Sequence, residues 1–596
     1  MKIPLRLKII FSISILSITC IGEATYKNAC DPKNRNFING LIFKSFTGDN
    51  TSLCGIKSLN NQSINSSTNV PTVTIQNLKD KSTVYTGFMI GTATDSLGVS
   101  KVEVAFDSGN YSTAQGTTSW KMKLPSGSLT WKDGSKHIIN VRAINTAGGI
   151  SPVTSITVYK DKNHDINGDG YSDMVASSIA VGPGVVYIFH SSGINGITAT
   201  STTAANTTIT GETTTTFGDF IVTNDLNGDG YADLVVSDIS FSGSAGKVYF
   251  FYSSGTNGIT TTLASAAPKS IVGGALGYLG YGLDTGDVNG DGYADVAINN
   301  YIASTGAVYV FHSSASGITA NNLAGANTTI VGIGSEDISN FVSMGDYNGD
   351  GFTDLSVSSI TAPATNKGKV FIFHSSGSGG IIAANTTSAV ASIAGTANQD
   401  SFGYSINSGD INGDGYADLI VGADQNGAGS PIGKVFVYLS NGPSGINVTP
   451  HASYVGESSG ARLGGFVWIM DVNADGFKDI ILGSAYINAG DGKMYIFHSS
   501  SSGVPSVPLT SANRIIIGEV GGGGRFAAGI SGSDINGDGY GDIIATANVL
   551  NNTQDGRVYI MYSNGTTGIS NTTAASITTK INPVFNTNKR FGYQAY

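Results

Sequence analysis

The sequence predicts an all-β protein in which a β-sandwich precedes a large array of repeated four-stranded units. Three observations support this prediction. An aspartate-rich loop of nine residues returns seven times, the segments between the loops are rich in short β-prone runs, and no amphipathic helical period competes with them. With 596 residues, the chain is also too long for one ordinary core, so several domains or one repeat array are expected.

The N-terminal segment has the pattern of an export signal. A basic region from Lys2 to Lys8 precedes an apolar run from Ile9 to Thr19, which is shorter than a membrane span. Residues 1–22 are therefore predicted to be a signal peptide, and Cys20 directly after the apolar run is a candidate site for a lipid anchor. No later stretch is apolar enough to cross a bilayer. These features predict a protein that is secreted or attached to the cell surface.

Residues 23–67 are interpreted as an N-terminal segment and linker, because they lack apolar periodicity and end in a stretch rich in Ser and Asn. Cys30 and Cys54 lie in this region, and together with Cys20 they are the only cysteines of the chain. In an oxidising compartment the two could form a disulfide, or they could remain free thiols.

Residues 68–160 have the pattern of a β-sandwich. Short stretches of alternating apolar and polar residues are separated by turn signals, and Val102, Val104 and Phe106 are predicted to face the core. The segment TATDSLGVSKVEV resembles the bacterial Ig-like domains found as spacers on exported proteins. The resemblance implies an Ig-like β-sandwich that separates the N-terminus from the repeats.

From residue 161 to residue 596 a single period governs the sequence. A repeat of this length suits a unit of about four strands and is too long for one rung of a solenoid. Seven such units predict a seven-bladed β-propeller, in which radial packing leaves only short strand edges exposed. The first aspartates of the seven loops are 59 to 64 residues apart and fall at Asp165, Asp225, Asp287, Asp346, Asp410, Asp471 and Asp534.

The two ends of the array complement each other. The first copy lacks the Phe-Gly strand that precedes the loop in other copies, since the sandwich strand TSITVYK takes that place. The last six residues, FGYQAY, match the start of the fifth copy, FGYSIN. The sequence therefore predicts that Phe591 to Tyr596 complete the first blade and close the ring.

Each loop has the residue types of a calcium site. Positions 1, 3, 5 and 9 are Asp, Asn, Asp and Asp in all seven copies, and Ca²⁺ prefers such hard oxygen ligands. Glycine at positions 4 and 6 tolerates a positive φ, and Ala474 is the one exception at position 4. The carbonyl of position 7 is a further candidate ligand, and up to seven ions are expected. The predicted side-chain ligands are Asp165, Asn167, Asp169, Asp173, Asp225, Asn227, Asp229, Asp233, Asp287, Asn289, Asp291, Asp295, Asp346, Asn348, Asp350, Asp354, Asp410, Asn412, Asp414, Asp418, Asp471, Asn473, Asp475, Asp479, Asp534, Asn536, Asp538 and Asp542.

Position 12 separates these loops from EF-hands. An EF-hand places a bidentate Glu at this position and flanks its loop with helices. Here the position is apolar in every copy and lies inside a strand-like run, with Val236 as the example from the second copy. The loops are therefore predicted to connect two strands.

The order of Phe-Gly, aspartate loop and apolar run resembles the FG-GAP repeats of the integrin α-chain propeller. The resemblance implies an extracellular propeller with calcium loops that acts in adhesion or ligand recognition. This sequence differs from the integrin pattern because all seven copies have the loop, and leg domains and a transmembrane helix are absent from it. The Phe-Gly position is kept at Phe217, Phe402 and Phe591, and is changed at Leu279, Ile338, Leu463 and Phe526-Ala527.

Other functions are less consistent with the sequence. A net charge of −10 argues against nucleic acid as a partner, since binding to phosphates requires a basic surface. No nucleophile elbow or phosphate loop is found, so a non-enzymatic protein is expected. His190, His312, His374 and His498 occupy one repeated slot and are interpreted as structural, and His164 beside the first loop is interpreted as a solvated neighbour and not a ligand.

The functional prediction is an exported calcium-binding protein for cell adhesion or ligand recognition, with an extracellular protein or glycan as its partner. Two alternatives remain open. One is a lectin-like propeller that binds carbohydrate, and the other is an accessory propeller related to those of secreted hydrolases and phospholipases.

Overall fold

The computed structural model describes residues 70–596 except 77, 79–81, 85–87, 126–135, 161, 180–181, 213–215, 302–304, 363–365, 426–430, 522, 550–554 and 584–589. The predicted signal peptide, the linker and all three cysteines lie outside the described residues. Within the described ranges, no helix has both the length and the apolar character needed to cross a membrane.

The N-terminal described part is a two-sheet β-sandwich. Val102 and Val104 of one sheet share a buried core with Met89 and Trp120 of the other, whereas Phe106 is only partly buried at its edge. The strand order is β1-β3-β7-β6 in one sheet and β2-β9-β8-β4-β5 in the other. The strands are β1 (Thr72–Ile75), β2 (Ser82–Val84), β3 (Phe88–Thr94), β4 (Val99–Phe106), β5 (Ser112–Thr113), β6 (Gln115–Gly116), β7 (Ser119–Lys123), β8 (Lys136–Asn145) and β9 (Thr154–Lys160).

Seven four-stranded antiparallel sheets follow, and we number them by the order of their aspartate loops. In sheets 2 to 7 the four strands are consecutive in sequence and in space. These strands are β13 (Ile221–Asn224), β14 (Asp233–Asp238), β15 (Lys247–Phe251) and β16 (Lys269–Val272) in sheet 2; β17 (Leu283–Gly286), β18 (Asp295–Asn300), β19 (Ala307–Phe311) and β20 (Thr328–Val331) in sheet 3; β21 (Val342–Gly345), β22 (Asp354–Ser359), β23 (Lys369–Phe373) and β24 (Ala391–Ala394) in sheet 4; β25 (Phe402–Gly409), β26 (Asp418–Ala423), β27 (Lys434–Tyr438) and β28 (Ala452–Val455) in sheet 5; β29 (Val467–Met470), β30 (Asp479–Ser484), β31 (Lys493–Phe497) and β32 (Arg514–Ile517) in sheet 6; β33 (Phe526–Ser533), β34 (Asp542–Ala547), β35 (Arg557–Met561) and β36 (Thr579–Ile581) in sheet 7.

Helical structure in the described residues is limited to single turns in the connections. Two are short α-helical turns, Phe241–Ser244 and Ile487–Gly490. The others are 3₁₀ turns at Gly193–Asn195, Thr202–Ala204, Ala264–Ala266, Leu323–Gly325, Thr386–Ser388, Gly442–Ser444, Leu509–Ser511, Gly565–Thr567 and Ala574–Ser576. The prediction of an all-β fold is therefore confirmed.

The hydrophobic cores lie between neighbouring sheets. On β14, Leu234 and Val236 pack with residues of sheet 1, whereas Val235 packs with residues of sheet 3. Because successive side chains of a strand point to opposite faces, a strand covered on both faces needs a continuous apolar run. This is why the sequence after most loops begins with a continuous apolar run; β22 of sheet 4 is an exception, since it alternates with the buried Ser356 and Ser358.

Sheet 1 combines three strands from the start of the array with one from its end. It consists of β10 (Met174–Ser178), β11 (Val185–Phe189), β12 (Thr207–Thr210) and β37 (Phe591–Ala595), in the order β12-β11-β10-β37. Val175 and Tyr596 exchange two backbone hydrogen bonds of 2.8 Å, and the buried Phe591 meets the ring of Tyr187 edge-on at 5.8 Å. The last residues therefore supply the strand that the first copy lacks.

Tyr596 also contacts the first strand of a distant sheet. Its ring lies edge-on to Trp468 of sheet 6, with the ring centroids 5.6 Å apart. The same side chain packs against the core between sheets 1 and 2 and against the core between sheets 2 and 3. One side chain can reach all these sheets only if their first strands surround a common axis.

We predict that removal of residues 591–596 destabilises the whole array. A milder change, Phe591→Ala, should cost about 3–5 kcal/mol because a fully buried aromatic side chain leaves a cavity. Chemical and thermal unfolding of both variants would measure the effect. Ile194→Ser, at a side chain that is 79% exposed, is the matched control and should unfold like the unmodified chain. An unchanged melting temperature after the truncation would contradict ring closure.

Candidate metal centres

In sheets 2 to 7, each aspartate loop joins the first strand of the sheet to its second strand, whereas the first loop lies between β9 of the sandwich and β10. In sheet 2 the loop runs from Asp225 to Asp233, between β13 and β14, and both of these aspartates are completely buried. The loops thus all lie at the same end of their sheets. Positions 1 to 8 of every loop lie in these connections, and position 9 is the first residue of the following strand or, at Asp173, directly precedes it.

The backbone of each loop curls around its first aspartate. In sheet 2 the N–H groups of Gly228 and Gly230 donate to the two carboxylate oxygens of Asp225, at 2.6 and 2.8 Å. The carboxylate of Asp233 accepts a bond of 2.8 Å from the N–H of Ser253, which follows the third strand. The first and ninth positions are therefore anchored by backbone donors of the loop and of its own sheet.

The third and fifth positions are bonded to each other. In the first loop, the side-chain amide of Asn167 donates to Asp169 at 3.2 Å, and its carbonyl oxygen accepts the N–H of Asp169 at 3.0 Å. The same amide-to-carboxylate bond is present in five other loops, at Asn289, Asn348, Asn412, Asn473 and Asn536. The four predicted ligand positions of a loop thus form one compact turn.

The carboxylates of a loop repel one another. Burial raises the pKa of Asp225 to about 8, and the nearby Asp229 raises it as well. Burial, followed by the charges of Asp225 and Asp229, holds the pKa of Asp233 well above its ordinary range. Removing like charges from water is costly unless an opposite charge compensates them. The ninth aspartate has a raised pKa in all seven loops, at Asp173, Asp233, Asp295, Asp354, Asp418, Asp479 and Asp542.

The donor set of each loop fits a hard cation in chemical type. It consists of carboxylate and amide oxygens, which are the ligands that Ca²⁺ prefers. The arrangement, however, is not that of a preformed site: among the described residues, no group of three or more His, Cys, Asp or Glu side chains is placed to hold a metal ion. The loops therefore provide suitable oxygens without a finished coordination sphere.

The seven loops are hydrogen-bonded to one another in a closed circle. The N–H of position 8 in each loop donates to the backbone carbonyl of the first aspartate in the preceding loop, at distances of 2.8 to 3.4 Å. Ser172 of the first loop donates to Asp534 of the seventh, so the circle has no free end. The other six bonds run from Ala232 to Asp165, Ala294 to Asp225, Thr353 to Asp287, Ala417 to Asp346, Lys478 to Asp410 and Gly541 to Asp471.

Further contacts strengthen the connection between neighbouring loops. In five sheets, the Ser hydroxyl after the third strand donates to the carbonyl of position 2 in the preceding loop, as Ser253 does to Ile166 at 2.6 Å. The aromatic residue at position 7 lies on the glycine at position 4 of the preceding loop. A Cβ at Gly349, which has a φ of 68°, would collide with the ring of Tyr416. Glycine at position 4 is therefore required by conformation and by space.

The sixth loop offers a natural test of this requirement, because Ala474 replaces the glycine and has a φ of 51°. We predict that Ala474→Gly raises the free energy of unfolding by up to about 1 kcal/mol, since an L-residue is strained at positive φ. Gly349→Ala should lower it by more than that, because strain and collision add. Equilibrium unfolding measures both changes, and a destabilised Ala474→Gly variant would contradict the account.

The repeated histidines support the interface between neighbouring sheets. The backbone N–H of His190 donates to Oδ1 of Asn206 at 2.8 Å. The ring of His190 lies against Gly258 of the next sheet. Burial lowers the pKa of His190, and also that of its three equivalents. His164 differs from expectation: the sequence suggested a solvated neighbour of the first loop, but the structure buries it and bonds its Nδ1 to Thr223 at 2.7 Å.

Comparison with known proteins agrees with the repeated architecture. Residues 402–438 and 526–561 match the FG-GAP repeat, and residues 165–236 and 225–298 match the FG-GAP-like repeat. Integrin alpha-7 of Rattus norvegicus is 36% identical over 149 residues, which cover 24% of this chain and 12% of the integrin. Integrin alpha-PS5 of Drosophila melanogaster is 35% identical over 151 residues, covering 24% and 14%.

Among solved structures, the exotype rhamnogalacturonan lyase YesX aligns with 84% of this chain and 91% of its own, at 10% identity and a TM-score of 0.32. The sequence matches span only about an eighth of the length of the integrin chains. The FG-GAP matches, by contrast, can be placed on the chain, and each of them contains at least one aspartate loop. The chain therefore carries FG-GAP repeats and an integrin α-like propeller.

Proposed function

We propose that this chain is an exported, calcium-braced propeller of seven blades that acts in adhesion or ligand recognition outside the cell. The observation that carries this proposal is the closed circle of seven loops, each of which buries the carboxylate of its ninth position among other carboxylates of the loop. A closed circle of loops favours a closed ring of blades, and buried like charges favour a bound cation.

Calcium would be held by the aspartates at positions 1, 5 and 9 and the asparagine at position 3. The ion supplies positive charge that compensates the buried carboxylates. Because the loops of neighbouring sheets are bonded to each other, an ion in one loop would stabilise the contact between two blades as well as its own hairpin. Binding only to the folded state would then raise the stability of the whole array.

The adhesive role rests on similarity to integrin α chains, together with the predicted export signal. In this proposal the N-terminal sandwich is the Ig-like spacer that holds the propeller away from the cell surface, and Cys20 is the candidate anchor. Loops on a rigid scaffold are common sites of recognition, which suits a platform of this kind. A lectin-like propeller is the alternative that shares this platform but binds carbohydrate.

We predict that calcium raises the melting temperature and that EGTA reverses the effect. At a free calcium concentration of about 100 times Kd, each occupied site would add about 2.7 kcal/mol to the free energy of unfolding. Differential scanning calorimetry would measure the shift, and isothermal titration would count up to seven ions. No stabilisation by calcium would contradict the proposed brace.

A conservative variant tests the assignment of the ligands. Asp229→Asn keeps an acceptor for the N–H of Tyr231 but removes one charge, so it should lower the calcium stoichiometry by one. Asp337→Asn is the matched control, because this aspartate accepts from Ser339 in a connection outside the loops.

Binding of the full chain to immobilised matrix proteins and to a glycan array then separates the adhesive function from the lectin-like one.

A further inference from the structure

A cavity of about 210 Å³ lies at the end of the central strands opposite the aspartate loops. Residues at or just before the first strand of six sheets line it, which places it on the axis of the array. They include Phe220 of sheet 2, Phe341 of sheet 4, Tyr404 of sheet 5 and Arg525 of sheet 7. The cavity is thus separated from the aspartate loops by the full length of these strands.

The charge of this cavity is opposite to that of the chain. Arg462, Arg525 and Arg590 line it, and the one carboxylate among its lining residues is that of Asp424. Nη2 of Arg462 donates to Asp424 at 2.5 Å, so that carboxylate is already paired. Arg525 and Arg590 form no ion pair with any described residue, which leaves a surplus of positive charge on a protein whose net charge is −10.

Two polar atoms of the cavity wall have no hydrogen-bond partner within the described part of the chain. They are Nε of Arg462 and the side-chain Oδ1 of Asn548, and both are buried. The oxygen and nitrogen of an Asn amide are assigned from their surroundings, so Asn548 can present its donor equally well. Buried polar groups are normally satisfied, and an incoming acceptor group would satisfy these.

The guanidinium groups are held in position by an aromatic ring. Tyr486 has Arg462 at 4.6 Å and Arg525 at 4.9 Å from its ring centre. Such contacts orient the planar forks of arginine, which match the two oxygens of a carboxylate. A second buried carboxylate nearby, that of Asp219, is bonded to Thr216 and to the N–H of Ile239, and burial raises its pKa to about 7.

The rim of the cavity has the composition of a protein interface. Tyr281 and Tyr486 are partly exposed there, at 39% and 38%. Tyr281 packs against Phe220 and Phe341 of the cavity wall at 5.4 and 6.2 Å. Aromatic residues and arginine around a central pocket are typical of the energetic centre of protein–protein contacts.

We propose that this axial cavity binds the carboxylate side chain of a Glu or Asp presented by an exposed loop of a partner protein. The proposal rests on the recognition function proposed above and gives it a ligand chemistry and a place. Arg525 and the free edge of Arg462 receive the carboxylate, and the aromatic rim covers the apolar residues beside it. The size of the cavity suits one anchoring side chain and is below that of most drug-sized ligand sites.

The test uses the full chain in calcium-containing buffer and a phage library of disulfide-closed random loops as the probe. Selected loops should share an acidic residue flanked by apolar ones. Binding of a synthetic selected loop should fall by at least about tenfold when its acid is changed to Gln, or when the protein carries Arg525→Gln. When both changes are combined, the affinity for the loop should fall little further than with either change alone, because both remove the same contact.

Arg514→Gln is the matched control, since Arg514 lies on the outermost strand of sheet 6 and donates to Ile569. This variant should bind the loop unchanged, and all variants should keep the melting temperature of the unmodified protein. Selected loops without an acid, or equal binding by Arg525→Gln, would overturn the proposal. So would loss of glycan-array binding in Arg525→Gln without any loop binding, which would assign the cavity to an acidic sugar.

The two proposals fail in distinguishable ways. If the unmodified chain binds a matrix protein or glycan and Arg525→Gln binds it equally, the recognition function stands and the acidic anchor is wrong. If the unmodified chain binds none of them, the recognition function itself is wrong.

Discussion

One repeated backbone hydrogen bond sets the arrangement of the propeller: the N–H at position 8 of each aspartate loop donates to the carbonyl of the first aspartate in the loop before it. This bond fixes two neighbouring sheets at the ends of their central strands. Because Ser172 completes the series on Asp534, no loop can shift without straining two others. The interface cores between sheets and the axial contacts of Tyr596 all depend on the sheet positions that this circle defines.

The same bond explains why the loops are so uniform. The first aspartate must accept from its own glycines with its side chain while its backbone carbonyl accepts from the next loop. Position 4 must then leave room for the aromatic ring at position 7 of that neighbour, as Gly168 does for Tyr231. The residue type at a loop position is thus constrained by contacts with the neighbouring repeat as well as by contacts within its own repeat. Much of the repeated pattern is therefore a requirement of packing, and the proposed cation would act on a frame that these contacts build.

The sequence alone was sufficient for the features that recur. The period near 60 residues predicted the four-stranded units, and the apolar residue at position 12, such as Val236, correctly placed a strand after the loop. Features that depend on a single place were harder to predict. His164 was expected in solvent, yet it is buried because Tyr596, more than 400 residues later, packs on its ring. The axial cavity was missed because Arg462, Arg525 and Arg590 are far apart in the sequence, and only the closure of the ring brings them together. Two repeated signals could have indicated it: the arginine directly before the Phe-Gly position in these three repeats, and the aromatic residues after that position.

The pairing of β37 with β10 has a consequence for how the protein is made. Ser177 and Gln594, which are bonded across this pair, lie 417 residues apart, so sheets 2 to 7 are all synthesised between them. At about 5–20 residues per second, ribosomes need roughly 20–80 s to cover that distance. During this interval β10 has one unpaired edge, and such edges are open to pairing with other chains. The early repeats must therefore be shielded until the last strand has emerged, and a nascent chain stalled late in translation would be the form most prone to aggregate.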